Sequence, residues 1–400
     1  MILKLDMIQT LAISVIVLIL GGYIKERVKF FDYFSIPAPV VGGLVFSIFS
    51  LILHNTGVLF LELDTSLKDF FMTIFFTAAG FSADIKVLGK YGKRAIGFTI
   101  IVALLVTFQN IIGVSLAKFF KINLLYGLNL GSVAMTGGHG TTGGFASIFA
   151  EKYGATDAMT VGMAAATFGL ITGGLIGGPV GRFLVKIHKL KDSPLNEQTI
   201  VSSNNSYNGE EKDEELTAKG MVSATNQIFI SMGIGTIIYM LFQKINFTLP
   251  SYVGAMLMGA ILRNINKIHN PLTEINSMGN ISLSIFVSMA LMDLRLWELS
   301  ELALPMIVTL MIQVIFIAIF MILIGYKILG SDYDAAVMVT GCCGFGLGAM
   351  PNGVSNMKTF TEKWGESSIA FLIVPGVGSV IIDLVNGGII TIFMNLVTKI

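Results

Sequence analysis

Residues 134–144 read Ala134-Met135-Thr136-Gly137-Gly138-His139-Gly140-Thr141-Thr142-Gly143-Gly144, and residues 341–353 read Gly341-Cys342-Cys343-Gly344-Phe345-Gly346-Leu347-Gly348-Ala349-Met350-Pro351-Asn352-Gly353. Each lies in a longer stretch, 126–150 and 332–357, that is apolar yet rich in Gly, Ala, Ser and Thr instead of Leu and Ile. In hydrocarbon every backbone polar group needs a partner. Irregular Gly-rich backbone therefore persists at membrane depth only where protein or a water-filled cavity surrounds it. Both stretches read as re-entrant hairpins in a membrane protein.

The rest of the chain fits that reading. Of 400 residues, 54% are hydrophobic and 13% charged, against roughly 25% charged in a soluble domain, and the mean hydropathy is +0.79. A soluble globular enzyme is excluded. With 26 Lys and Arg against 25 Asp and Glu the formal charge is +1, so no basic field exists to attract nucleic acid. Apolar runs fall near 7–24, 36–54, 70–84, 95–117 and 158–187, and again near 226–243, 249–263, 275–292, 302–326 and 367–397. The first is followed by Lys25, Arg27 and Lys29 and not by a cleavage pattern, so it reads as a retained span. Residues 189–220 are rich in Ser, Asn, Glu and Lys and read as a solvated linker. Cys342 and Cys343, the only cysteines, are adjacent and read as small packing residues, with no disulfide framework.

Each Gly-rich stretch sits between the fourth and fifth run of its half, which predicts an internal repeat. Pro37 matches Pro250, Asp84-Ile85-Lys86 matches Asp293-Leu294-Arg295, and Gln109 matches Gln313. Thr136-Gly137 matches Thr340-Gly341, Gly138-His139-Gly140 matches Gly344-Phe345-Gly346, and Thr172-Gly173-Gly174 matches Asn386-Gly387-Gly388. An odd number of spans per half makes the halves antiparallel. The expected fold is thus an all-α polytopic membrane protein of two inverted repeats, each of five transmembrane helices with a Gly-rich re-entrant hairpin. The repeats cover 1–188 and 221–400, and the linker joins them. Most Lys and Arg fall on the side of that linker, so both termini are expected outside and the linker in the cytoplasm.

No metalloprotease, nucleophile-elbow or phosphate-loop pattern occurs, and the histidines at 54, 139, 188 and 269 are scattered. The chemistry concentrates at the hairpin tips. Glycine lets backbone approach closely, the free N–H groups at a half-helix start hold a carboxylate, and unwound carbonyls coordinate Na⁺. Thr136, Gly137, Gly138, His139, Gly140 and Thr141 are candidates in the first tip, and Gly344, Gly346, Gly348, Asn352 and Asn356 in the second. His139 either donates to a substrate carboxylate or is a neutral residue bonded to a carbonyl. Asn352 and Asn356 either bind ligand or cap a helix near Pro351. Asp383 lies midway along the last apolar run with no Lys or Arg within a helical turn, and an ionisable residue at that depth is functional by default. It suits a substrate ammonium or a coupling cation. Asn386 shares its helix face, and with Asn352 and Thr136 it completes the set of Na⁺ candidates. Gln109, Asn110 and Gln313 read as amides that join helices.

TGGHGT at 136–141, GFGLGAMPN at 344–352 followed by Val354-Ser355-Asn356-Met357, ALMDLRLWELSELALP at 290–305 and IIDLVNGG at 381–388 together resemble the bacterial sodium/glutamate symporters over nearly the whole chain. The resemblance implies a homodimer of ten-helix protomers in the bacterial cytoplasmic (inner) membrane, Na⁺-coupled uptake of L-glutamate, and a transport unit moving against a dimerising scaffold. It implies no cofactor beyond Na⁺ as coupling ion. On the matching positions it supports Thr136 to Thr141, Gly344 to Asn352 and Asp383 as the binding region. A di- or tricarboxylate symporter would favour a fixed Arg at the site, and neither tip contains Lys or Arg. A cation/proton antiporter would need Asp383 to exchange protons with the cation. A passive channel would show no saturation by substrate.

Overall fold

The computed structural model describes residues 2–33, 36–57, 59–83, 92–190, 216–244, 250–265, 270–294, 296–297 and 302–399. Most of the expected linker, positions 84–86 and position 295 lie outside the described residues. The described chain is helical apart from a parallel pair of short strands, β1 (Ile2–Leu5) and β2 (Phe60–Leu63). Its first half contains α1 (Met7–Arg27), a short α2 (Lys29–Tyr33), α3 (Ala38–Thr56), α4 (Leu67–Phe81) and α5 (Gly92–Phe119). It continues through α6 (Leu124–Leu128), a π-helical turn over Asn129–Val133, α7 (Gly138–Tyr153) and α8 (Ala158–His188). The second half contains α9 (Ala218–Lys244), α10 (Ser251–Asn264), α11 (Leu272–Met292) and α12 (Ala303–Phe320). It closes with α13 (Tyr326–Leu329), α14 (Tyr333–Phe345), α15 (Met350–Trp364) and α16 (Ser368–Val397).

Among the described residues, seven helical stretches are long and apolar enough to cross a membrane: α1, α3, α5, α8, α9, α11 and the run Ala303–Leu329 through α12 and α13. An eighth is α16, bent by 48° between Gly378 and Ile382. The apolar runs at 70–84 and 249–263 fold differently from a full span. They form α4, of 15 residues, and α10, of 14. At about 1.5 Å per residue neither covers a hydrocarbon core of about 30 Å. Pro250 sets the start of α10, and α4 stops at Ser82.

Caps and close approaches explain the local order. The Asp6 carboxylate accepts from the N–H groups of Ile8 and Gln9, while Gln9 Oε1 accepts from Asp6 N–H, closing a capping box on α1. Gly21 on α1 faces Gly42 on α3 so tightly that a Cβ on either would run into the partner's backbone. Gly113 on α5 and Gly127 on α6 do the same. Such contacts replace the hydrophobic drive that lipid does not supply.

The helices sort into two groups. In the first, α1, α3, α4, α9, α10 and α11 pack on one another; in the second, α5 to α8 pack with α12 to α16. Hydrogen bonds reinforce each group internally. Ser288 Oγ donates to Ser14 O at 2.9 Å in the first. In the second, Arg94 at the start of α5 pairs with Asp332 and with Asp334 (2.9 Å), and Ser367 at the start of α16 donates to Asp334 at 2.7 Å. At the seam between the groups, the rings of Phe75, Phe286 and Tyr252 lie against Gly140, Gly143 and Gly144 of α7.

Candidate functional site

Both glycine tips belong to the second group and touch each other. Gly138 opens α7 at φ +62, a left-handed conformation that favours glycine, and a Cβ there would stand 3.1 Å from Gly348 O. Gln109, fully buried on α5, knots the tips together. Its Nε2 donates to Gly346 O (2.7 Å), its Oε1 accepts from Thr136 Oγ1 (2.7 Å), and its carbonyl accepts from Gln313 Nε2 (2.9 Å). Thr136 also lies 3.3 Å from Gly346 O. The matched glutamines thus do join helices, and they join them at the tips.

A cavity of about 450 Å³ opens beside this knot at the seam. The second group lines it with Thr136 to Thr141, Gly348 and Asp383, and the first group with Val40, Phe75, Leu283 and Val287. Its described lining contains no Lys or Arg. Asp383 makes no ion pair among the described residues. Thr141 is buried and its hydroxyl has no protein partner among them. His139 lies 3.0 Å from Thr167 Oγ1, whose proton is given to Met163 O at 2.9 Å. His139 Nε2 therefore donates to Thr167, which holds the ring at the cavity wall. In the first turn of α7 the Gly138 and Thr141 N–H groups donate to Ala134 O and Gly137 O, which leaves those of His139 and Gly140 for an anionic group and Asp383 for a cationic one.

The remaining candidates lie elsewhere. Gly346 offers its carbonyl to Gln109, and the Gly344 carbonyl packs on Gly173 of α8. Asn386 donates to Ser132 O at 3.1 Å. Asn352 and Asn356 donate to Leu170 O (2.6 Å) and Gly173 O (2.8 Å), tying α15 to α8, and both line a second cavity between these two helices. The side-chain oxygens of Asn352 and Asn386 are buried without a partner. Sequence reasoning passed over Asn280 and Ser284, which bring polar groups from α11 to the first cavity. The signal was two polar residues four apart, hence on one helix face.

A family model described as sodium/glutamate symporter matches residues 3–366. The chain belongs to the sodium/glutamate symporter family. It is 38% identical over 397 residues to the sodium/glutamate symporter of Escherichia coli (strain K12), covering 98% of both chains. It is 39% identical over 388 residues to that of Haemophilus influenzae, covering 96% of both. Membership makes this protein a membrane transporter and not an enzyme. The relatives' matches continue beyond residue 366, into the helix that carries Asp383.

Proposed function

We propose that this protein is a secondary active transporter that uses the Na⁺ gradient to carry L-glutamate into the cell by alternating access. One observation carries the reading: at the seam between two helix groups, both glycine tips meet beside a cavity that, among the described residues, holds a carboxylate without an ion pair and no fixed cation. The substrate's carboxylates meet the N–H groups of the first turn of α7 and the Thr141 hydroxyl, and Asp383 takes the ammonium group or a Na⁺. Asn386, Asn352 and Thr136 are the further Na⁺ candidates, the first two supported by their unpartnered oxygens. Bound cation and anion lower each other's electrostatic cost, which is the coupling. The absence of Lys and Arg from the cavity's described lining speaks against a di- or tricarboxylate as substrate.

In this reading α6 with its π turn and α7 form one re-entrant hairpin, and α14 with α15 the other. Their support is that each pair packs closely, that no member is long enough to span, and that each follows the third long helix of its half. The fold is then two inverted repeats, 1–188 and 221–400, around the 189–220 linker. Lys and Arg placement favours that linker in the cytoplasm and both termini outside the inner membrane, and the family resemblance favours a homodimer. The test is uptake of labelled L-glutamate into proteoliposomes under an inward Na⁺ gradient, with K⁺ as control and citrate as competitor. Na⁺-dependent accumulation that citrate leaves untouched is the expected result; equal uptake in both salts overturns it.

A further inference from the structure

The second cavity, of about 580 Å³, lies between α8 and α15. It is the electrostatic opposite of the first. Arg182 and Lys363 line it together with Asn352, Asn356, Thr359 and Trp364, and its described lining contains no Asp or Glu. Neither cation has a carboxylate within ion-pair distance among the described residues. The bare glycine face of α8 makes the room. Gly178, which also lines the cavity, would bring a Cβ within 3.8 Å of the Arg182 guanidinium, so this group lies back over the helix surface. Lys363 Nζ stands 5.9 Å from the Trp364 ring centre.

The two cavities are separated by little more than the first turn of α15. Pro351 lines the first and its neighbour Asn352 the second. The hydrogen bonds that fasten this turn and the next to α8 are the two amide contacts from Asn352 and Asn356. Arg182 stands about one and a half turns before the end of α8 at His188 and Lys363 next to the end of α15, so the cations mark the mouth on the side where the 189–220 segment leaves α8.

We infer that this second cavity is an anion-binding vestibule in which Arg182 and Lys363 receive the carboxylates of the transported amino acid on the linker side of the α15 wall. The inference rests on the symport reading, since it takes the substrate to be an amino acid with a second carboxylate. Two solvent-screened cations hold such a ligand weakly, which suits a place of release. An anionic lipid phosphate shares this chemistry and is the alternative source of the oxyanion.

Trp364 reports on the vestibule directly, because the only other tryptophan is Trp297. Full-length W297F protein in nanodiscs of zwitterionic lipid, in K⁺ without Na⁺ and at constant ionic strength, is titrated with L-glutamate while Trp364 fluorescence is followed. A saturable change is expected, with half-saturation raised about two- to five-fold by Arg182→Gln and by Lys363→Gln, the span of one exposed charge contact. Asp383→Asn should leave the titration unchanged. No response to glutamate, a response indifferent to both charge substitutions, or one seen only when anionic lipid replaces zwitterionic lipid overturns the vestibule. Na⁺-driven uptake is measured on the same W297F protein, without further substitution, in proteoliposomes. Its absence overturns symport itself, whereas uptake without a Trp364 response overturns the vestibule alone.

Discussion

Gln109 holds three joints at once: the carbonyl of one tip, the threonine of the other, and the glutamine at the matching place of the second half. Gln109→Leu would leave the Gly346 carbonyl without that donor in a buried site, at a cost of about 1–3 kcal/mol. A lower melting temperature and lost uptake are expected, and a variant as stable and active as the parent would remove the knot from the argument. Asp383→Asn separates the two effects. It keeps the shape of a cavity-lining residue, so melting in K⁺ should hold while Na⁺-dependent uptake falls to background; normal transport would exclude Asp383 from the mechanism. Thr136 to Thr141, Gly348 and Asp383 at the first cavity were legible from glycine clustering and from one carboxylate amid Ile and Leu, whereas Asn280 and Ser284 were not. Asn352 and Asn356 were less so, because an amide near a tip reads alike whether it donates to a ligand or, as here, to the carbonyls of α8. Only the neighbouring helix decides, and it is some 180 residues away in sequence.

Among the elements, hydropathy located the long helices within a few residues, apart from α9, which begins eight residues before its apolar run, since a span needs little more than length and apolar content. It overstated α4 and α10, whose runs are apolar but whose helices stop at 15 and 14 residues. Helix partners were not legible. They depend on pairs such as Gly21 with Gly42 and Gly113 with Gly127, in a chain with 44 glycines, most of which have no such pairing visible in sequence. Gly42→Val should therefore pry α1 from α3 and lower the melting temperature, while Gly22→Val, at a position with open space around it, should not; equal effects would refute the pairing. The Arg94 clamp makes a separate claim on the starts of α5, α14 and α16. Arg94→Gln should speed amide hydrogen exchange at residues 332–336 and leave exchange in α1 and α3 unchanged. Acceleration spread evenly over the chain would mean general loss of fold instead of a local release.

For the whole molecule, coupling implies reciprocity: if Na⁺ tightens glutamate binding, glutamate tightens Na⁺ binding by the same factor. The rise in melting temperature with both present should exceed the sum of the rises with each alone, and a strictly additive result would contradict shared coupling at one site. The division into two helix groups was not legible to periodicity, which reports what a helix buries and not against which neighbour. At their seam, the rings of Phe75, Phe286 and Tyr252 bear on the side-chain-free stripe of Gly140, Gly143 and Gly144, whereas the inter-helix hydrogen bonds described above stay inside one group or the other. Rings resting on bare backbone behave as a greased bearing. Displacement along it exchanges one dispersion contact for another of the same kind, so drag grows with contact area and no toothed register fixes where the travel must stop.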